Sequence, residues 1–146
     1  MIHLLLLFAG GISCPVLNTA TARGAIGEVQ ASVTHSEKNA GFTCRFAGAE
    51  AELTVEVSKL TAASEFAHFA ESACEGGREV VPLTAIGNEA FACSLGAGGQ
   101  IAEKVVSRVR NQAFVIQVSA SDKAATVKSM RRKIMMLAEQ VAGNLF

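Results

Sequence analysis

The clearest hydrophobic pattern in the chain lies at its C-terminal end. Apolar residues recur there at the spacing of one helix face: Val127, Met130, Ile134, Leu137, Val141 and Leu145. An apolar stripe of this kind is typical of a helix that buries one side against another element. The pattern therefore predicts a final helix of about five turns that covers a sheet.

Alternation of apolar and polar residues predicts strands through much of the remaining chain. In residues 51–58, apolar side chains fall on one face and glutamates on the other, as in a half-buried strand. Residues 101–110 alternate in the same way and lead through a tight turn at Asn111-Gln112 into residues 113–118, which predicts a hairpin. Further strand patterns lie at residues 29–33, 42–46, 80–81 and 91–95.

Two more helices are predicted upstream of the C-terminal one. Apolar residues at helical spacing follow Thr61, a capable N-cap, and continue to Ala73 before Gly76-Gly77 end the segment. A short alanine-rich helix is predicted between Asn18 and Ile26. Because tight turns join consecutive strands, we predict an α+β fold, an antiparallel sheet of about five to six strands with two long helices packed on it and a short N-terminal helix.

The N-terminal segment predicts export. Its apolar run from Ile2 to Ile12 has the length of a signal-peptide core and about half the length of a membrane span. No Lys or Arg precedes the run, which departs from the usual pattern, and an apolar strand or helix kept in the fold is the alternative. We assign residues 1–13 to a signal peptide and residues 14–146 to a single domain, with Ala20-Thr21-Ala22 as a competing cleavage site. The predicted location is secreted or periplasmic.

Cysteine content agrees with export. The chain has four cysteines: Cys14, Cys44, Cys74 and Cys93. An even set in an exported chain predicts two disulfides, and of the three pairings we favour the sequential one, Cys14–Cys44 with Cys74–Cys93. The alternative for Cys44, which alternates with two phenylalanines on an apolar strand face, is a buried thiol. No Cys-x-x-Cys motif or zinc-like Cys/His spacing occurs, so we predict no metal and no cofactor.

Cys14 also allows a different attachment. Cleavage directly before Cys14, followed by lipidation, would anchor the chain to the cell envelope, and this is the only membrane association we predict. Gly11 stands where a lipobox typically has Leu, and Pro15 follows the cysteine, so the lipobox pattern is weak. Lipidation would also leave an odd number of cysteines. We therefore favour a mature chain that keeps Cys14 for a disulfide.

Composition narrows the classes of function. The chain has 146 residues, the size of one domain. Its 13 basic and 13 acidic residues cancel, which removes the electrostatic argument for nucleic acid as a partner. The absence of Trp and Tyr weakens interpretations based on stacking against bases or sugars. We predict a monomer whose partner is an envelope protein or a small ligand.

Few residues suggest catalysis. His68 lies between glutamates on the polar side of its predicted helix, where a carboxylate would orient a general base, but a solvated surface histidine is favoured. Glu50, Glu52 and Glu56 line the outer face of one strand. Paired carboxylates serve in glycoside hydrolysis, yet one strand directs them outward in a row, which favours a solvated sheet face. The sequence therefore predicts no catalytic, cofactor-binding or metal-binding residue.

Three short stretches resemble parts of a family of small bacterial secreted proteins and lipoproteins. They are Cys14-Pro15-Val16-Leu17 before the alanine-rich helix, Phe42-Thr43-Cys44-Arg45-Phe46, and Ile86-Gly87-Asn88-Glu89-Ala90-Phe91. The last is similar to a Gly-Leu-Gly-Asp-Glu-Ala segment of that family, with Asn88 where Asp is usual. The layout is also similar to the sheet-and-helix fold of the photosystem oxygen-evolving PsbP and Mog1-like proteins. The resemblance implies that the first cysteine pairs with the second, and a scaffold or binding module without catalytic residues.

These observations lead to one expected function and one alternative. We expect an exported, non-enzymatic envelope domain that binds an unidentified partner or a small ligand. The alternative is a small hydrolase-type enzyme that uses His68 or the face formed by Glu50, Glu52 and Glu56.

Overall fold

The computed structural model describes residues 13–37, 40–121 and 127–146. The predicted signal peptide lies outside the described residues, apart from Ser13. In chain order the elements are α1 (Thr19–Ile26), β1 (Val29–Ser36), β2 (Gly41–Gly48), β3 (Ala51–Lys59), a 3₁₀ turn (Ala63–Glu65), α2 (Phe66–Ala73), β4 (Arg78–Leu83), β5 (Glu89–Ala97), β6 (Gln100–Val109), β7 (Gln112–Ser121) and α3 (Val127–Leu145).

All of the strands in the described ranges form one antiparallel sheet of seven strands in the order β1-β2-β3-β7-β6-β5-β4. The predicted α+β fold, with about five to six strands and two long helices, is wrong. The described part of the chain is mostly sheet, 48% strand against 29% helix. The strands that raise the count are the edge strands β1 and β4, whose sequence patterns are short or weak.

The second predicted helix is shorter than its pattern suggested. Its first turn is the 3₁₀ segment that begins at Ala63, and α2 itself has only eight residues. Ala62 at the start gives no side-chain cap, and the carboxylate of Glu65 instead accepts a hydrogen bond from the backbone N–H of Thr61 at 3.3 Å. Of the described helices only α3, with 19 residues, is long.

The helices lie on opposite sides of the sheet. Because successive strand side chains point to opposite faces, Val105 packs beneath α3 while its neighbour Val106 packs beneath α2. We call these sides the α3 face and the α2 face, and α1 lies on the α3 face. Most of the core is on the α3 face, where the largest fully buried apolar side chains are Phe46, Leu53, Phe114, Ile116, Ile86 and Ile134.

All four cysteines lie in the described residues, and they form two disulfides. Cys14 pairs with Cys44, and Cys74 pairs with Cys93, which is the sequential pairing. The first disulfide attaches the segment before α1 to β2 within the α3-face core. The second attaches the residue after α2 to β5. Each face of the sheet therefore has one covalent link to the segment that covers it.

Candidate functional site

The residues of the hydrolase alternative do not come together. His68 is exposed on α2, Glu50 lies exposed in the turn before β3, and Glu56 is exposed on β3. Glu52 is paired with Arg45 of the neighbouring strand, at 2.7 Å from Nη2 to Oε2. No hydrogen bond or ion pair within the described residues joins His68 to any of these glutamates. The predicted solvated strand face agrees with this arrangement.

The Arg45–Glu52 pair is a surface pair. The side chains keep 58% and 35% of their surface exposed, respectively. The pKa of Arg45 is raised by its hydrogen bond to Glu52 and by the nearby negative charge. Exposed pairs of this kind contribute little to stability, and nothing else in the described part of the chain converges on this one to make it a site.

A different carboxylate, that of Glu103 on β6, lies inside the protein. Glu103 is 1% exposed, and both of its oxygens accept hydrogen bonds. The Ser94 hydroxyl donates to Oε1 at 2.6 Å, and Nε of Arg131, on α3, donates to Oε2 at 3.0 Å. Nη2 of Arg131 also donates to the Ser94 hydroxyl at 2.7 Å. Since burying an unpaired charge is costly, this closed set of contacts explains how the carboxylate is tolerated.

Strand register places Glu103 beneath α3. The inward-facing row of β6 comprises Ile101, Glu103, Val105, Ser107 and Val109, and two of these residues are polar. Ser107 is also fully buried, and its hydroxyl donates to the carbonyl oxygen of Ile86 at 3.3 Å. Buried polar side chains that make hydrogen bonds give a core directional contacts. The Glu103 end of this row is where a cavity opens.

This cavity, which we call the Glu103 cavity, has a volume of about 260 Å³. Its lining residues are Arg78, Glu79, Ser94, Leu95, Ile101 and Glu103. The inward row of β5 is made of small residues, Ala90, Ala92, Ser94 and Gly96, and small side chains leave space above the strand. The cavity therefore combines apolar walls with a few convergent polar groups, the usual composition of a small-ligand site.

One wall of the cavity is an irregular part of β4. The pairing of β4 with β5 shifts register between Arg78 and Val81. Glu79 within this bulge has a φ of 52°, in the left-handed region that residues other than glycine rarely adopt. Bulges and such backbone conformations are frequent next to functional sites. The bulge also brings the Glu79 carbonyl oxygen to 3.4 Å from Nη2 of Arg131.

Other cavities among the described residues differ from this one in their lining. A groove of about 320 Å³ between α2 and β4 is lined mainly by apolar groups, among them Ala70, Val80 and Phe91. A shallower one of about 480 Å³ is bounded by Gly76, Gln100 and Gln117 and their neighbours. Among the described residues, neither lining includes a buried charged group. The Glu103 cavity is the candidate site because its floor has a buried carboxylate already held in place.

The described residues contain neither a metal cluster nor a membrane span. No group of three or more His, Cys, Asp or Glu side chains within the described ranges is arranged to hold a metal ion. Among those residues no helix has both the length and the apolar character that a membrane span requires. The chemistry present in the Glu103 cavity is that of carboxylate, guanidinium and hydroxyl groups.

Glu103, Ser94 and Arg131 were not among the residues predicted from the sequence. A signal was present for Glu103, because an acidic residue stands at an inward position between Ile101 and Val105. A charge on the apolar row of a strand implies a buried partner or a site. For Arg131 the signal was weaker, because it lies beside the apolar residues of α3 and not among them. Its contact with β6 depends on how α3 packs on the sheet, which the local sequence pattern does not show.

No protein-family model matches this chain, and no curated protein matches it. Its function is therefore inferred from the fold, the disulfides and the Glu103 cavity.

Proposed function

We propose that the protein is an exported, non-enzymatic domain that binds a small ligand in the Glu103 cavity. The main support is a single observation: a fully buried carboxylate, fixed by Ser94 and Arg131, faces a cavity of about 260 Å³ with an apolar wall. Polar groups whose positions are already fixed bind a ligand without the entropy cost of ordering them. The cavity thus has the geometry of a preformed site.

Export is supported by the two disulfides, which indicate an oxidising environment outside the cytosol. Within such an environment we propose a secreted or periplasmic protein without a lipid anchor. The sulfur of Cys14 is bonded to Cys44, and a lipid thioether would need the same sulfur. The predicted alternative of lipidation at Cys14 is therefore incompatible with this disulfide.

The position of residues near Cys14 supports signal cleavage before that cysteine. Val16, Leu17 and Ala22 are buried in the α3-face core. Cleavage after Ala22 would remove these side chains and the Cys14–Cys44 disulfide together. A mature chain that retains Cys14 keeps both.

The contacts around Ser94 support binding rather than catalysis. A serine nucleophile needs a base that takes its proton and a group that orients the base. Here Ser94 donates directly to Glu103, whose other oxygen is engaged by Arg131. Neither described histidine, His35 or His68, makes a hydrogen bond or ion pair with this set within the described residues.

Binding is tested by thermal unfolding of the oxidised, exported protein with four classes of small compound: monocarboxylates, primary amines, neutral sugars and zwitterionic amino acids. A compound that binds only the folded state at about ten times its dissociation constant should raise Tm by roughly 4 °C. The blocking variant is Ile101→Trp, which places a large ring at the cavity wall. Its matched control is Val80→Trp, which adds the same ring in the groove beside α2 on the opposite face.

At least one class should raise Tm in the wild type and in Val80→Trp but not in Ile101→Trp. Circular dichroism checks that both variants are folded. If Ile101→Trp does not fold, Ser94→Leu serves as a second variant that blocks the cavity. No shift with any class, or equal shifts in all three proteins, would overturn the proposal. So would recovery of a chemically converted compound by mass spectrometry, because that would identify an enzyme.

A further inference from the structure

Three side chains of the Glu103 cavity lie in a row across neighbouring strands. Arg78 on β4 is directly opposite Ser94 on β5, and Ser94 is directly opposite Glu103 on β6. Directly opposed residues point to the same face. Since strands lie about 4.8 Å apart, the Cα atoms of Arg78 and Glu103 are separated by roughly 10 Å. A cation and a carboxylate therefore stand on either side of a hydroxyl group.

The guanidinium of Arg78 is available to a ligand. Within the residues that the structure describes, Arg78 makes no hydrogen bond and no ion pair. Its side chain lies over β5. Nη2 of Arg78 is 3.3 Å from the position that a Cβ on Gly96 would occupy. A guanidinium has a planar pair of donors that matches the two oxygens of a carboxylate. The free end of the row is thus suited to a ligand carboxylate.

The other end of the row is acidic. The buried carboxylate of Glu103 already accepts hydrogen bonds from Ser94 and Arg131, one on each oxygen. Glu79 adds a second carboxylate at the rim, with 70% of its side chain exposed and its Oε2 at 3.7 Å from Nη1 of Arg131. The Glu79 carboxylate therefore retains capacity to accept hydrogen bonds from a ligand ammonium group, and the Arg131 side chain joins it to the Glu103 carboxylate.

Among the residues that the structure describes, the charges around the cavity balance. Two arginines, Arg78 and Arg131, face two glutamates, Glu79 and Glu103, so their formal sum is zero. A ligand with a net charge would leave one charge uncompensated in a partly buried site, which costs free energy. A ligand with one positive and one negative group preserves the balance and uses both ends of the row.

We infer that the ligand of the Glu103 cavity is a small zwitterion of the amino-acid type. Its carboxylate binds Arg78, and its ammonium group binds Glu79 at the acidic end of the row. The volume of about 260 Å³ is below that of most drug-sized sites, which suits a single amino acid with its side chain against Ile101. This inference rests on the proposed function, since it specifies the ligand class for the same cavity.

The test uses compounds that share a side chain and differ in charge. L-leucine has both groups, 4-methylpentanoate lacks the amine, and 3-methylbutylamine lacks the carboxylate; glycine and phenylalanine extend the zwitterions to smaller and larger side chains. Titration calorimetry on the oxidised protein should show binding of at least one zwitterion. For leucine, each partial analogue should bind at least about tenfold more weakly.

Variants of the protein locate the binding. Arg78→Ala should weaken zwitterion binding at least about tenfold, because the exposed guanidinium is the carboxylate's partner. The matched control is Arg45→Ala, which removes an exposed arginine from the opposite face and should leave binding unchanged. Both positions are at the surface, so both variants should fold.

The outcomes separate this inference from the proposed function. If a carboxylate, amine or sugar binds in the cavity and no zwitterion does, the inference is overturned and the binding function stands. Equal affinity for leucine and either partial analogue, or zwitterion binding that Arg78→Ala does not weaken, also overturns it. If no compound of any class binds, both proposals fall together.

Discussion

The two faces of the sheet are stabilised in different ways. The α3 face has an extensive apolar core beneath α1 and α3, together with the buried Glu103–Arg131 pair. The α2 face has a small buried cluster around Phe66 and Val106, and much of the rest of it is polar and solvated. Each face has one disulfide. The difference indicates that the α3 face determines global stability, while α2 depends more on its covalent link.

The largest difference between the faces should come from two phenylalanine truncations. Phe114 and Phe66 are both fully buried, at 0% and 1% exposure. Phe114→Ala, in the middle of the α3-face core, should lower the free energy of unfolding by about 4 kcal/mol, and Phe66→Ala by about 3 kcal/mol, because the short α2 can move into the space. Urea unfolding measures both. A larger loss for Phe66→Ala would reverse the ranking of the faces.

Removing the disulfides should sharpen the same contrast. The sequence separations of 30 and 19 residues give about 3.7 and 3.3 kcal/mol in the chain-entropy model. Because these two free energies are similar, the two disulfides are better distinguished by which backbone amides lose protection when each one is removed. In Cys74→Ala/Cys93→Ala the amides of α2 should exchange hydrogen much faster than those of β7, whereas Cys14→Ala/Cys44→Ala should accelerate exchange throughout the core. Equal protection of α2 and β7 in the first variant would contradict a covalently dependent α2.

Breaking the buried ion pair should have a smaller effect than the core truncation. Arg131→Met leaves the Glu103 carboxylate with its hydrogen bond from Ser94 and should cost about 3 kcal/mol, at the low end for a buried pair because Arg131 is 21% exposed. The double variant Glu103→Leu/Arg131→Met should recover most of that loss, because no charge is left buried. Thermal and urea unfolding of both variants measure this. A double variant less stable than Arg131→Met would contradict it.

The smallest effect is expected on the polar part of the α2 face. Arg45→Ala removes an exposed ion pair with Glu52 and should leave Tm unchanged within error. The pKa of Arg45 is raised, not lowered, so the pair's contribution is present below the usual arginine pKa and is lost only as pH rises beyond it. Wild type and variant should therefore have parallel pH profiles from about pH 6 to about pH 9. A divergence within that window would show that this face has a stabilising role.

Sequence patterns were sufficient where they were long and uninterrupted. The apolar stripe from Val127 to Leu145 predicted α3 because a helical period over 19 residues has no alternative interpretation. The β6–β7 hairpin was predicted by alternation on both sides of Asn111, although the turn itself is one residue earlier, at Arg110-Asn111. The β6–β7 hairpin lies in the interior of the sheet, and α3 covers it.

The sequence was insufficient where tertiary contacts decide the outcome. The edge strand β4 is short and interrupted by the bulge at Glu79, so its pattern does not have the period of a strand. The site depends on Arg131 reaching Glu103 across 28 residues of sequence, which no local period encodes. For the disulfides, four cysteines allow three complete pairings, and the sequential pairing that the sequence analysis favours is the one the structure has.

The side chain of Asn144 near the end of α3 donates a hydrogen bond to the carbonyl oxygen of Val16 at 2.8 Å, across 128 residues. Lys133 of the same helix likewise donates to the carbonyl oxygen of Ala25. A chain that emerges N-terminus first, from a ribosome or a translocation channel, presents Val16 long before Asn144 exists to meet it. The Cys14–Cys44 loop can close early, but completion of the interior must wait for release of the last helix.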